Sequence, residues 1–165
     1  ETISRIGKEV TGKYKEVTAS VSNFVPKPHT PYQWNGMQTR EYLQWAGRYL
    51  RSKVRLKTVT IKHHDVETSL LEGILTRGDR RVAEALEEAY RRGARLDGWR
   101  ECFNSEIWWS TFRDLGIDVA SYSQRNRKVD EVLPWDHIQV KKGREFLEKE
   151  QNRSLLQLEV MSGAV

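Results

Sequence analysis

The sequence predicts an α/β arrangement over its first third and an all-helical remainder. Two short stretches alternate in polarity, as half-buried strands do. In the first, Val17, Ala19 and Val21 oppose Thr18, Ser20 and Ser22; in the second, Val59, Ile61 and His63 oppose Thr58, Thr60 and Lys62. Between them runs a stretch of helical period, and after Asp65 only helical periods follow. Helix, strand, loop, helix, strand is the order that builds a parallel sheet.

In chain order, Ile3, Ile6 and Val10 have helical spacing, and Gly12 supplies a stop. The strand over 16–25 runs into Pro26-Lys-Pro-His-Thr-Pro31. Its three prolines fix φ, remove amide donors and bias the preceding residues away from helix, so this is a stiff extended loop. From about Gln38 to Lys53, Tyr42, Trp45, Ala46, Tyr49 and Leu50 form one stripe, and the helix is expected to bury that aromatic face. The second strand follows. Leu70, Leu71, Ile74 and Leu75 then mark a helix ended near Gly78, with Asp79 poised to cap the next one, which carries Val82, Leu86, Ala89 and Tyr90 and stops at Gly93. Asn104 or Ser105 caps a helix bearing Ile107, Trp108, Phe112 and Leu115, ended by Gly116. A loop with Pro134 and Trp135 precedes a charged helix from about Lys142 to Leu156, and Met161 to Val165 read as frayed. The expected division is residues 1–65 for the α/β part and 66–160 for the helical extension.

A two-stranded parallel sheet with open edges is not a stable unit. The sequence therefore predicts further strands upstream in the same polypeptide, and the opening residue, Glu1 rather than Met, agrees with a fragment. The 165 residues include one cysteine, Cys102, which excludes an internal disulfide or an all-Cys metal site. That fits a reducing, cytoplasmic setting. No apolar run reaches the ~20 residues of a membrane span. The net charge of +5 is spread over Arg and Lys that often alternate with acids, and contact with RNA stands as the alternative to a solvated surface.

Three stretches carry a resemblance. They are Ser20-Val-Ser-Asn-Phe-Val-Pro-Lys-Pro-His-Thr-Pro-Tyr-Gln-Trp34, then His64 to Arg81, then Leu133-Pro-Trp-Asp-His-Ile138 with Phe146 and Glu150. As a set they resemble the C-terminal region of an uncharacterised radical S-adenosylmethionine family, often found with a cobalamin-binding-like domain; Val66 stands where the family pattern has proline. The resemblance implies the C-terminal slice of a partial (β/α) barrel, closing and capping an active site. It further implies S-adenosylmethionine and a [4Fe-4S] cluster, with cobalamin possible, in the parent enzyme. The cluster cysteines would lie upstream, since Cys102 stands alone and this chain by itself would be inactive. Phe24, Val25 and Pro26 would lie on the adenine side of the cofactor. Lys27, His29, Thr30, His64 and Asp65 would face the substrate, at the strand ends where barrel chemistry collects.

Each of these residues also has a plainer reading. The prolines around Lys27 and His29 shape a loop whatever those side chains do. Strand alternation separates His64 from His63 and Asp65, so no metal site is expected, and Asp65 is placed to receive the next helix's amides. Glu67, Glu72, Arg77, Asp79 and Arg80 read as a salt-bridge cluster at a helix corner. Of the tryptophans able to stack on bases, Trp108 belongs to a core and Trp99 to the joint after Gly98. A basic RNA-binding or protein-docking module without chemistry of its own is the alternative to the capping function.

Overall fold

Capping chemistry and apolar period together fix most of the elements. The computed structural model describes residues 1–162. Helix α1 (Thr2–Thr11) ends at Gly12, whose φ of 74° would strain any residue with a Cβ. Strand β1 (Val17–Val21) precedes α2 (Arg40–Lys53), which opens where the Thr39 hydroxyl accepts the Tyr42 amide at 3.3 Å. Strand β2 (Val59–His63) leads to α3 (Val66–Arg77), capped by Asp65, whose Oδ1 accepts the Thr68 amide at 2.9 Å. Then come α4 (Arg81–Arg91) and α5 (Ser105–Asp114), the latter capped by Asn104. A short α6 (Val119–Ser123), capped by Asp118, was not expected from the sequence. The final helix, α7 (Gly143–Ser162), runs past the expected stop near Leu156, so Met161 is helical rather than frayed; Gly163 to Val165 lie outside the described residues.

The chain divides into two compact units. The first comprises residues 1–24 and 38–70. Its strands pair in parallel, Val17 beside Val59 and Val21 beside His63, and no residue of either strand is fully buried. Helix α2 turns Leu43 and Gly47 inward; the missing side chain at Gly47 leaves room for the His63 ring, about 3.5 Å from where a Cβ would stand. The expected burial of the aromatic face of α2 is thus corrected: Tyr42, Trp45 and Tyr49 are 47 %, 49 % and 45 % exposed. Helical spacing identified a stripe but not its direction, and the sheet accepts the slimmer face. Ser4, fully buried, donates to the Lys15 carbonyl at 2.6 Å and shares a hydrogen bond with the Thr58 hydroxyl. Asn23 reaches Ser69 at 2.9 Å.

The second unit comprises residues 25–37 and 71–165, so the proline-rich loop groups with the helices. One core gathers Leu71, Ile74, Ala85, Ala89, Trp108 and Phe112. Another gathers Trp34, Leu133, Trp135 and Leu147. Arg77 is fully buried, its guanidinium donating to the Ser123 and Arg125 carbonyls at 2.9 and 3.0 Å, while Arg127 donates to the Arg77 carbonyl at 2.7 Å. Burial, with Arg127 and Arg125 nearby, pushes Arg77 down to about 10. The expected salt-bridge cluster at this corner is therefore corrected. Glu67 pairs with Arg40, Glu72 with Lys27 and Asp79 with Arg81, while Arg77 serves the carbonyls of Ser123, which ends α6, and of Arg125, and Arg127 serves the carbonyl that ends α3. Trp99, expected to cover a joint, is 64 % exposed.

Candidate functional site

In the second unit the loop after Pro26 is drawn against residues nearly a hundred positions away. The Trp34 carbonyl accepts the Arg127 amide at 2.7 Å, Asn126 Oδ1 accepts the Gly36 amide at 2.7 Å, and the Met37 amide donates to the Ser123 carbonyl at 2.8 Å. Gly36 is required there, since a Cβ would stand 1.8 Å from the Gln124 carbonyl oxygen. Gln33, 3 % exposed, completes the join: its Oε1 accepts the His29 amide at 2.9 Å and the Trp135 indole N–H at 2.8 Å. Leu133–Ile138 and the Pro26–Trp34 part of the stretch Ser20–Trp34 are thus one substructure.

A cleft of about 330 Å³ lies on this join, lined by His29, Gln33, Asp136, Gln139, Arg144 and Leu147 among others. That is the size of a small-molecule site. His29 has a φ of 57°, a left-handed conformation that non-glycine residues adopt rarely. Its Nε2 is buried without a hydrogen-bond partner among the described residues. An unusual backbone and an uncommitted polar atom in one residue are features that accompany ligand contacts. Across from it, Arg144 is held rigidly: Nη1 donates to Asp136 at 2.9 Å, Nε to Glu148 at 3.2 Å, and Nη2 to the Glu131 carbonyl at 2.9 Å. Asp136 also accepts the Leu133 amide at 2.7 Å. The cleft offers an imidazole able to donate or accept a proton, a fixed guanidinium–carboxylate pair and an amide, over an apolar floor at Leu147.

The other expected site residues fall elsewhere. Lys27 forms an ion pair with Glu72, and its carbonyl accepts the Thr30 hydroxyl at 2.8 Å, so Lys27 and Thr30 shape the loop. His64 and Asp65 belong to the first unit, where the His64 amide continues the ladder to Val21 at 3.0 Å and Asp65 caps α3. Of Phe24, Val25 and Pro26, none lines the cleft; Pro26 is fully buried and Phe24 is 49 % exposed. Gln33, only four positions from His29, was not singled out, and Asp136 and Arg144 were not because nothing local in the sequence links them to His29. Among the described residues no group of three or more His, Cys, Asp or Glu could hold a metal ion, and Cys102 is a free exposed thiol. No described helix is long and apolar enough to cross a membrane.

The chain is similar to proteins described as probable deoxyhypusine synthases from Thermoplasma volcanium and Thermoplasma acidophilum. Each is 29 % identical over a segment covering 47 % of this chain and 26 % of the relative. The chain therefore matches about a quarter of the length of these curated relatives. No family model matches it, and no solved structure does. These findings correct the resemblance drawn from Ser20–Trp34, His64–Arg81 and Leu133–Ile138: the relatives found are of another description, and nothing found supports a radical S-adenosylmethionine family.

Proposed function

We propose that this chain acts as part of a larger α/β enzyme, its first unit adding two strands to a wider parallel sheet and its second carrying a cleft for a small polar substrate. The observation that carries this reading is the sheet. Two parallel strands with open outer edges, no buried residue in either, and few apolar side chains beneath them do not make a self-sufficient layer. All-parallel sheets occur almost only with both faces covered, and open edges are sites of further pairing. The curated relatives agree in scale, since the matched segment is 26 % of their length. In the cleft, His29 is the residue suited to bind or move a proton, and the Arg144–Asp136 pair the group suited to orient the substrate.

A second reading follows from the similarity itself, that the larger enzyme makes deoxyhypusine as its relatives' descriptions state. It is tested by assaying that product with the intact protein. The first reading is tested by sedimentation and calorimetry on the 165-residue chain alone. Self-association or a broad transition is expected, because unpaired strand edges recruit partners. A monomer with a single sharp transition contradicts it.

A further inference from the structure

The net charge of the chain resides in the first unit. That unit holds eleven Lys and Arg against six Asp and Glu, while the second holds seventeen of each. The excess is concentrated further: from Tyr42 to His64 there are six cations, Arg48, Arg51, Lys53, Arg55, Lys57 and Lys62, and no acid. No ion pair engages any of the six among the described residues. Arg51, Arg55 and Lys57 line a cleft of about 380 Å³ between the end of α2 and β2, with no carboxylate in its lining. Glu1, the acid nearest this loop, directs its carboxylate to the Arg55 and Leu56 amides.

Beside this cationic end stands the exposed aromatic row of α2. The Tyr42 and Trp45 ring centroids are 5.5 Å apart, and those of Trp45 and Tyr49 are 5.2 Å apart with planes inclined by 24°. Lys53 Nζ lies 5.0 Å over the Tyr49 ring and joins the row to the cations. Helical rise carries the row along ~10 Å of the axis. Flat rings half open to solvent with uncompensated cations at one end match the two needs of single-stranded nucleic acid, stacking surface for bases and positive charge for phosphates.

We infer that the outer face of α2, with Arg51, Arg55 and Lys57, binds single-stranded RNA or DNA without sequence preference. Bases stack on Tyr42, Trp45 and Tyr49, and the backbone runs toward the cationic cleft. A duplex keeps its bases stacked inside and cannot use the row. This inference does not depend on what completes the sheet.

The test is fluorescence anisotropy of a labelled oligouridine of about fifteen nucleotides with the intact protein. Binding is expected, weakening with salt at a logarithmic slope of about −2 if three phosphates are engaged. Trp45→Ala with Tyr49→Ala should weaken it by about tenfold or more without changing that slope. Replacing Arg51, Arg55 and Lys57 by Ala should flatten the slope. Lys53→Glu, at an exposed position that folding tolerates, should also weaken binding, and Trp45→Phe should largely preserve it. Any of four outcomes overturns the inference. They are no binding by the parent protein, unchanged binding by the aromatic double variant, equal binding of a duplex, or Trp45 shielded from hydroxyl-radical labelling in the intact protein before any strand is added. Binding to phosphatidylserine vesicles but not to the strand, lost in the same variants, assigns the face to a membrane and overturns it as well.

Discussion

Charge and burial are distributed oppositely between the two units. In the second, Arg92 bridges Glu88 and Asp114, Arg125 pairs with Glu131, and Arg144 spans Asp136 and Glu148. The same unit buries nearly all the large apolar side chains, among them Trp34, Trp108, Phe112 and Trp135. The first buries Leu43 and Leu70, leaves Ile3, Ile6 and Val10 exposed, and pairs Arg5 with Glu1 and Arg40 with Glu67 while six consecutive cations go unmatched. The second unit balances its charges and encloses two apolar cores, while the first presents unmet demands in open strand edges and unpaired cations. Unmet demands of that kind mark surfaces that other parts of an assembly or a ligand complete.

Core truncations break this comparison most sharply. Trp34→Ala removes a side chain 2 % exposed and should cost about 3–5 kcal/mol in denaturant unfolding. Arg77→Ala leaves the Ser123 and Arg125 carbonyls without a buried donor and should cost about 3 kcal/mol. Ile61→Ala, on a half-buried strand, should cost under about 1.5 kcal/mol in the chain alone and more once the sheet is completed. Equal losses at Trp34 and Ile61 in the chain alone would dissolve the distinction between the units.

Much of the architecture was legible because it is written locally. Both strands, the caps at Asp65 and Asn104 and the stop at Gly12 rest on residues within a few positions of one another. The direction of α2 was not legible, since an aromatic stripe attracts burial on paper while the sheet selects Leu43 and Gly47 by closeness of approach. Arg77 read as a member of a salt-bridge cluster because its partners are carbonyls, which composition does not display. His29, singled out in the sequence, lines the cleft, whereas Lys27 beside it turns to Glu72. Gln33, Asp136 and Arg144 share the cleft only through the tertiary join at Trp135.

Acid should separate the units more gently. Hydrogen bonding from Arg81 holds Asp79 down from 3.8 to about 2, and hydrogen bonding from Arg125 holds Glu131 down from 4.5 to about 2. Both groups are more acidic folded than unfolded. Their stabilisation is therefore complete above about pH 4.5 and lost as pH falls toward 2. Thermal melts should show the second unit weakening over that window, and replacing both carboxylates with amides should flatten the dependence. The smallest effect is expected at Lys27, a partly exposed ion pair, where Lys27→Ala should change stability by no more than about 1 kcal/mol. His29→Ala should likewise leave the melting temperature nearly unchanged, while, under the proposed function, it weakens capture of a small polar ligand by the intact protein about tenfold.

Amide hydrogen exchange tests directly whether β1 and β2 are completed by strands beyond this pair. The outer-edge amides of both strands are compared in the 165-residue chain and in the intact protein. Completion of the sheet predicts rapid exchange at those edges in the chain alone and strong protection in the intact protein, with the inner ladder from Val17 to His63 protected more than the edges in both. Edge amides that exchange equally fast in the intact protein, or that are already fully protected in the chain alone, contradict it.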